Sequence, residues 1–244
     1  MNRIVKPAQH SENQLPIQEV NQRPMNIAID GPAGAGKSTI ARLLAKRLGI
    51  GYLDTGAMYR AIGLKALQTG TDMQCEEKIK AMLAQTALDV VLGNDTQRVF
   101  LDGIDVTDQL RSKAVSKASS DVSVLPVVRD RLVALQREIA ARQPLVLDGR
   151  DIGTYVLPNA PYKFYLTADI MERARRRLVD LRKKGDLKTC FDDVLQDVKY
   201  RDKQDSERDL APLRQAADAI LIDTTHLSIE EVIELVLQHI KRTA

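Results

Sequence analysis

Apolar positions along the chain switch repeatedly between two periods. Met25–Asp30 (MNIAID) is a short continuous apolar run that ends in a glycine-rich turn, the pattern of a parallel strand buried on both faces. The following STIARLLAKRLG places Ile40, Leu43, Leu44 and Leu48 on one face and stops at Gly49, which predicts an amphipathic helix with a C-terminal glycine. GIGYLDTG then reads as a second short strand and AMYRAIGLKALQTG as a second helix, again closed by glycine. Residues 87–104 differ, because two β-rich runs flank GNDT and predict a hairpin. Pro126 opens a helix with a stripe at Val128, Leu132, Leu135 and Ile139. PLVLDG (144–149), YKFYLT (162–167) and AILIDT (219–224) are further strands, and SIEEVIELVLQHIKR is a last helix. Strands alternating with helices predict an α/β fold, a parallel sheet flanked by helices, with the hairpin inserted into it.

One charged stretch interrupts this grammar. RDKQDSERD (201–209) carries seven charged residues in nine, which composition alone assigns to a solvated surface. The segment before it places Phe191, Val194, Leu195 and Val198 at helical spacing, and that stripe continues onto Arg201, Asp205 and Arg208. If the helix runs on unbroken, these three extend its buried face, where charges need partners and a polar ligand in a cleft supplies them. An exposed pair between Arg201 and Asp205 is the rival reading, and periodicity does not decide between the two.

Composition excludes more than it selects. Hydrophobic residues make up 44% and charged residues 28%, an ordinary globular balance, and a net charge of +3 is too small to argue for a nucleic-acid partner. Cys75 and Cys190 lack any CxxC pairing, and His10, His226 and His239 are scattered, so neither a disulfide framework nor a histidine-ligated zinc is supported. No segment is apolar for long enough to span a membrane, and residues 1–24 lack the apolar core of a secretory signal. The expectation is a cytoplasmic protein with a disordered extension over 1–24, and with Met25 available as an alternative translation start.

The chemistry is concentrated in three places. GPAGAGKS (Gly31–Ser38) fits G-x-x-x-x-G-K-[ST] between a strand and a helix, a loop whose backbone amides and following helix terminus cradle phosphates. Lys37 reaches β- and γ-phosphates, and the Ser38 hydroxyl ligates Mg²⁺. No Asn is followed by Lys and no glycine has Asp three positions before it, so base recognition and the switch of a GTPase are both missing. LDTGAMYR offers a second anion site through Arg60, although a lone arginine is more often a surface residue. LVLDGRDIG puts Asp148 at the carboxyl end of a buried strand with Arg150 and Asp151 directly after it; a capped turn with a local ion pair is the alternative. Residues 171–188 hold eight Lys or Arg against three Asp or Glu, which reads as a solvated helix, a nucleic-acid patch or, beside a phosphate loop, a lid that closes arginines onto a transferring phosphoryl group.

Taken together, IDGPAGAGKST, YLDTGAMYR, LDGRDIGT and RDKQDSERDLAPL…AADAILIDTT resemble the bacterial cytidylate (CMP) kinases, in that family's order and across nearly all of residues 25–244. The resemblance implies a P-loop nucleoside monophosphate kinase: a core, a mobile lid over about 171–190, and a substrate arm over about 55–142 with a small β insertion at about 83–120. It implies direct phosphoryl transfer from ATP to CMP or dCMP with Mg²⁺, by a monomer acting without nucleic acid or membrane. ATP would lie along Gly31, Pro32, Ala33, Gly34, Ala35, Gly36, Lys37, Ser38 and Thr39. Arg60 and Arg150 would hold the acceptor phosphate beside Thr55 and Asp148. Ser120, Arg129 and Asp151 would line cytosine, and Arg201, Asp205 and Arg208 would approach sugar and base. Lys37, Arg150 and lid arginines such as Arg173 and Arg177, with Arg175 and Arg176 beside them, would neutralise charge in the transition state. Lys203 and Gln204 depart from the further charges some relatives carry there. A kinase for UMP or another small acceptor, and an ATP-dependent nucleic-acid-binding switch, are the alternatives.

Overall fold

The computed structural model describes residues 24–93 and 96–243, so the expected extension, apart from Pro24, and the centre of the GNDT turn lie outside the described residues. In chain order the elements begin with β1 (Ile27–Asp30), α1 (Lys37–Leu48), β2 (Gly51–Asp54) and α2 (Thr55–Thr69). Next come α3 (Glu76–Ala84), β3 (Leu88–Leu92), β4 (Gln97–Leu101), β5 (Ile104–Asp105), α4 (Lys113–Ser123) and α5 (Pro126–Arg142). The last are β6 (Leu145–Asp148), β7 (Tyr162–Thr167), α6 (Ile170–Lys183), α7 (Phe191–Glu207), β8 (Ile220–Asp223) and α8 (Ile229–Thr243).

Five strands form a parallel sheet in the order β2-β6-β1-β7-β8. The central strand β1 is buried along its length because both faces are covered, which is why its sequence is apolar without alternation. Register places Ile29 beside Asp148 and Asp54 beside Asp148, so the carboxyl ends of β1, β2 and β6 lie level. Chain order reverses across β1, which is flanked by β6 and β7, and open α/β sheets gather ligands at the carboxyl ends of such a switch point.

The insertion is a three-stranded antiparallel sheet, β3-β4-β5, and not the single hairpin the sequence predicted. The second run folds back at Asp102–Gly103, where both residues have positive φ (51° and 79°), as a two-residue type I′ turn requires. Two helices are also additional to the predicted set. In α4, Val115, Ala118 and Val122 form a buried stripe that packs on α2, and burying each valine contributes about 1.5–3 kcal/mol. The contact is close enough to require Gly63, where a Cβ would stand 2.8 Å from the Ser119 amide nitrogen.

Apolar packing divides into three clusters. One joins α2, α3, the insertion, α4 and α5 to β2 and β6; a second surrounds α1, β1, β7, β8 and α8. The third is small: Ala174 of α6 against Val194 and Val198 of α7. The turn between these two helices is closed by Arg182, which donates to the carbonyls of Asp186 (2.5 Å) and Thr189 (2.7 Å). Among the described residues no helix is long and apolar enough to cross a membrane.

Candidate active site

The loop from Gly31 to Gly36 joins β1 to α1 along the sheet's carboxyl edge. Gly31 has φ 143°, and a Cβ there would lie 1.9 Å from the Leu166 carbonyl oxygen, so only glycine lets the loop leave β1 this way. The loop is held from outside by Arg173, donating to Ala33 O at 3.1 Å, and by Thr224, donating to Ala35 O at 3.3 Å. Lys37 is the first residue of α1, and its buried ammonium donates to Pro32 O at 2.8 Å. Burial and then the Arg150 charge hold its pKa well below the usual lysine range. An anion placed there would be favoured by the cation and by the helix terminus together.

Ser38 Oγ donates to Asp148 Oδ2 at 2.6 Å, and Tyr52 donates to Asp148 Oδ1 at 3.0 Å. Burial and the Asp54 carboxylate push the Asp148 pKa up. A hydroxyl and a carboxylate in contact are the hard-oxygen pair that Mg²⁺ takes from a protein when nucleotide phosphates and water supply its other ligands. Among the described residues no three His, Cys, Asp or Glu are grouped to hold a metal ion by themselves.

Across a cleft of about 910 Å³ from the phosphate loop, the facing wall is built from the ends of β2 and β6 and from α2, α4 and α7. Thr55, buried at the start of α2, donates to Asp148 O at 2.7 Å. One turn further on, Arg60 donates to Asp54 Oδ2 at 2.6 Å. Arg150 donates to Asp205 Oδ2 at 2.6 Å, so two arginines facing the cleft are each held by a carboxylate of the protein. Deeper, Arg129 has no exposed surface and donates to Asp151 Oδ2, while Arg208 approaches Asp151 Oδ1 at 3.3 Å. One buried carboxylate thus serves two buried guanidiniums, and Arg129 Nε and Nη1 have no hydrogen-bond partner among the described residues. Tyr59 and Tyr155 face the Arg129 guanidinium at 6.0 and 5.7 Å, adding cation–π support. Ser120 also lines the cleft, its hydroxyl weakly donating to Ser116 O at 3.4 Å. A buried group with excess positive charge and unused N–H donors calls for a ligand rich in acceptors.

The cytidylate kinase family model matches residues 27–242. The chain belongs to the cytidylate kinase family. It is 51% identical to a cytidylate kinase of Caldicellulosiruptor bescii over 88% of this chain and 94% of that relative. It is 49% identical to the one from Carboxydothermus hydrogenoformans, over 89% and 98% of the two chains. It is 45% identical to that of Limosilactobacillus fermentum, over 90% and 96%.

Within this cytidylate kinase framework, several residues sit differently from the sequence reading. The helix predicted to run through Arg208 ends at Glu207, and Arg208 follows in an extended conformation, yet it still turns inward to Asp151 and donates to Ala211 O at 2.7 Å. Asp205 pairs with Arg150, and Arg201 pairs with Asp197 at 3.2 Å, so the exposed Arg201–Asp205 pair does not form. Arg173 is directed away from the cleft: its Nε and Nη1 bond Ala168 O, Ala33 O and Asp202, which ties α6 to the phosphate loop. Arg176 reaches Thr224 and Thr225, and Arg175 meets Glu172 at 3.5 Å. Arg177 lines the cleft, its pKa lowered by burial and by Arg201.

Sequence reasoning passed over Asp30 and Tyr59. Asp30 accepts from the amides of Ile152 (2.8 Å) and Gly153 (2.7 Å), fixing the loop that presents Arg150 and Asp151. Its position, directly before the phosphate loop, was the available signal. Burial, against those two bonds, raises its pKa to about 6. Between about pH 4 and 6 the folded chain keeps a proton that the unfolded chain has released, so this group makes stability fall as pH rises through that window. Urea unfolding at pH 4, 5 and 6 is expected to lose this falling component in Asp30→Asn, and an unchanged slope would remove Asp30 as its source.

Proposed function

We propose that the protein transfers the γ-phosphoryl group of ATP to CMP and dCMP, giving CDP and dCDP. The observation that carries this reading is the pair Asp151 and Arg208 on the wall of the cleft that Lys37 also lines, with the buried Arg129 bonded to Asp151 behind them. Cytosine presents an N4 amino donor beside N3 and O2 acceptors. The Asp151 carboxylate accepts from N4, while the open N–H groups of Arg129, with Ser120 nearby, donate to N3 and O2. Uracil reverses the polarity at N3 and at position 4 and leaves these buried groups unpaired, the condition under which a site rejects a near-isostere strongly.

Arg60 and Arg150 take the acceptor phosphate by leaving Asp54 and Asp205, and Arg201 and Asp205 border the sugar. The residues from Gly31 to Thr39 wrap the ATP phosphates. Ser38 and Asp148, with those phosphates, would hold Mg²⁺, which would supply charge neutralisation during transfer. Lys37, Arg150 and Arg177 stabilise the charge that develops on the transferring group, with donor and acceptor in line and no covalent intermediate. In this reading 55–142 forms the substrate arm, 83–120 its β insertion and 171–190 the lid, whose α6–α7 packing lets the two helices move together. The enzyme works as a cytoplasmic monomer.

Initial rates with CMP, dCMP, UMP and AMP test the assignment, repeated on Asp205→Ala and Arg201→Met. CMP and dCMP are expected to be the best acceptors, and both variants to lose about tenfold or more in kcat/KM for CMP while keeping ATP affinity. A clear preference for UMP would sink the substrate assignment.

A further inference from the structure

The insertion reaches the end of β2 through the side chain of Gln97. Gln97, the first residue of β4, accepts from the Asp54 amide through Oε1 at 2.7 Å and donates to the Asp54 carbonyl through Nε2 at 3.2 Å. Asp54 ends β2, which is an edge strand, so beyond β6 the main sheet offers its backbone no neighbour. A side-chain amide carries a donor and an acceptor side by side and can close on both groups at once, as a neighbouring strand would.

What Asp54 does gives this clamp its consequence. Its Oδ1 accepts from the Ala57 amide at 3.0 Å, capping α2, and its Oδ2 holds Arg60 Nη2 at 2.6 Å. Gln97 is 43 positions away in sequence, yet it fixes the residue that fixes both the start of α2 and the Arg60 side chain. It stands at the wall of a second cavity of about 620 Å³ shared with Asp54 and Arg60.

We propose that Gln97 is a positioning residue for acceptor binding: the insertion, through this amide, sets the backbone at Asp54, whose carboxylate caps α2, and thereby the place from which α2 presents Arg60 to the acceptor phosphate. The inference rests on Arg60 as the acceptor-phosphate ligand proposed above. It gives the three-stranded insertion a role in the chemistry as well as in covering the arm's apolar cluster.

Gln97→Met keeps length and approximate volume and removes both bonds. Using the best acceptor of the monophosphate panel, KM for that acceptor is expected to rise about tenfold, with KM for ATP unchanged and kcat within about threefold. Amide exchange at residues 54–60, measured without nucleotide, is expected to speed up. Gln97→Glu, which keeps the acceptor and loses the donor, is expected to fall between parent and Gln97→Met. In an Arg60→Met background, Gln97→Met is expected to add less than twofold to the acceptor KM. An unchanged acceptor KM, equal rises in the two substrate KM values, or full additivity with Arg60→Met would each overturn the inference. Because the panel identifies the acceptor first, a parent that prefers another monophosphate overturns the CMP assignment alone, and Gln97 is then judged on that substrate.

Discussion

Asp151→Asn is expected to lower kcat/KM for CMP by about 10- to 150-fold while UMP turnover changes by less than about threefold, removing most of the discrimination between the two bases. In the proposed reading Asp151 is the acceptor that cytosine N4 requires, and hydrogen bonds to a charged partner contribute about 1.5–3 kcal/mol each. The same substitution strips the counter-ion from Arg129, which is fully buried, and from Arg208. Leaving buried cations unpaired costs about 3–5 kcal/mol of stability. The asparagine oxygen keeps one bond to Arg129, so the loss lies at the lower end of that range. Urea unfolding reads the stability change, and rates at a temperature where the variant stays folded read the base preference. A variant whose CMP-to-UMP ratio equals the parent's would remove Asp151 from base selection.

Lys37→Met is expected to reduce kcat about a thousandfold with little change in KM for CMP. Among the described residues the ammonium bonds only the Pro32 carbonyl, and burial together with Arg150 disfavours its charge. It is a buried cation placed to gain most when negative charge gathers beside it, as happens on the phosphoryl oxygens at transfer. Methionine fills similar space and carries no charge, so structure is expected to survive, which near-ultraviolet circular dichroism would check. Activity within tenfold of the parent would show that Mg²⁺ and Arg150 suffice, and would end the role given to Lys37.

The sequence made the sheet legible because buried parallel strands leave uninterrupted apolar runs, and all five core strands fell within a residue or two of their predicted bounds. It also made the phosphate loop legible, since glycine spacing there is dictated by local backbone geometry. The α3 and α4 helices were missed for the opposite reason: their apolar stripes are short, and α4 becomes evident only against α2, where Gly63 admits it. The fold-back at Asp102–Gly103 was written in the sequence as an Asp-Gly pair inside a β-rich run and was read through. Long-range partners were the least accessible. Nothing in RDKQDSERD says that Asp205 meets Arg150 across 55 positions, or that Arg208 turns inward after its helix has ended. Such pairings depend on how whole elements dock, and a local period carries no record of that.

The carboxylates that hold Arg60 and Arg150 have a bearing on what can enter the cleft under the proposed reading. Asp54 and Asp205 are tethered, so each faces its arginine at an effective concentration far above that of dissolved anions. Chloride or free inorganic phosphate must displace them with nothing else to offer, and the exchange runs against the newcomer. A nucleotide brings a base and a sugar along with its phosphate, and those extra contacts tip the swap. The number of ion pairs then stays nearly constant on binding, so acceptor affinity should respond only weakly to ionic strength. Selection for a whole nucleotide would thus begin with a competition that the protein stages against itself.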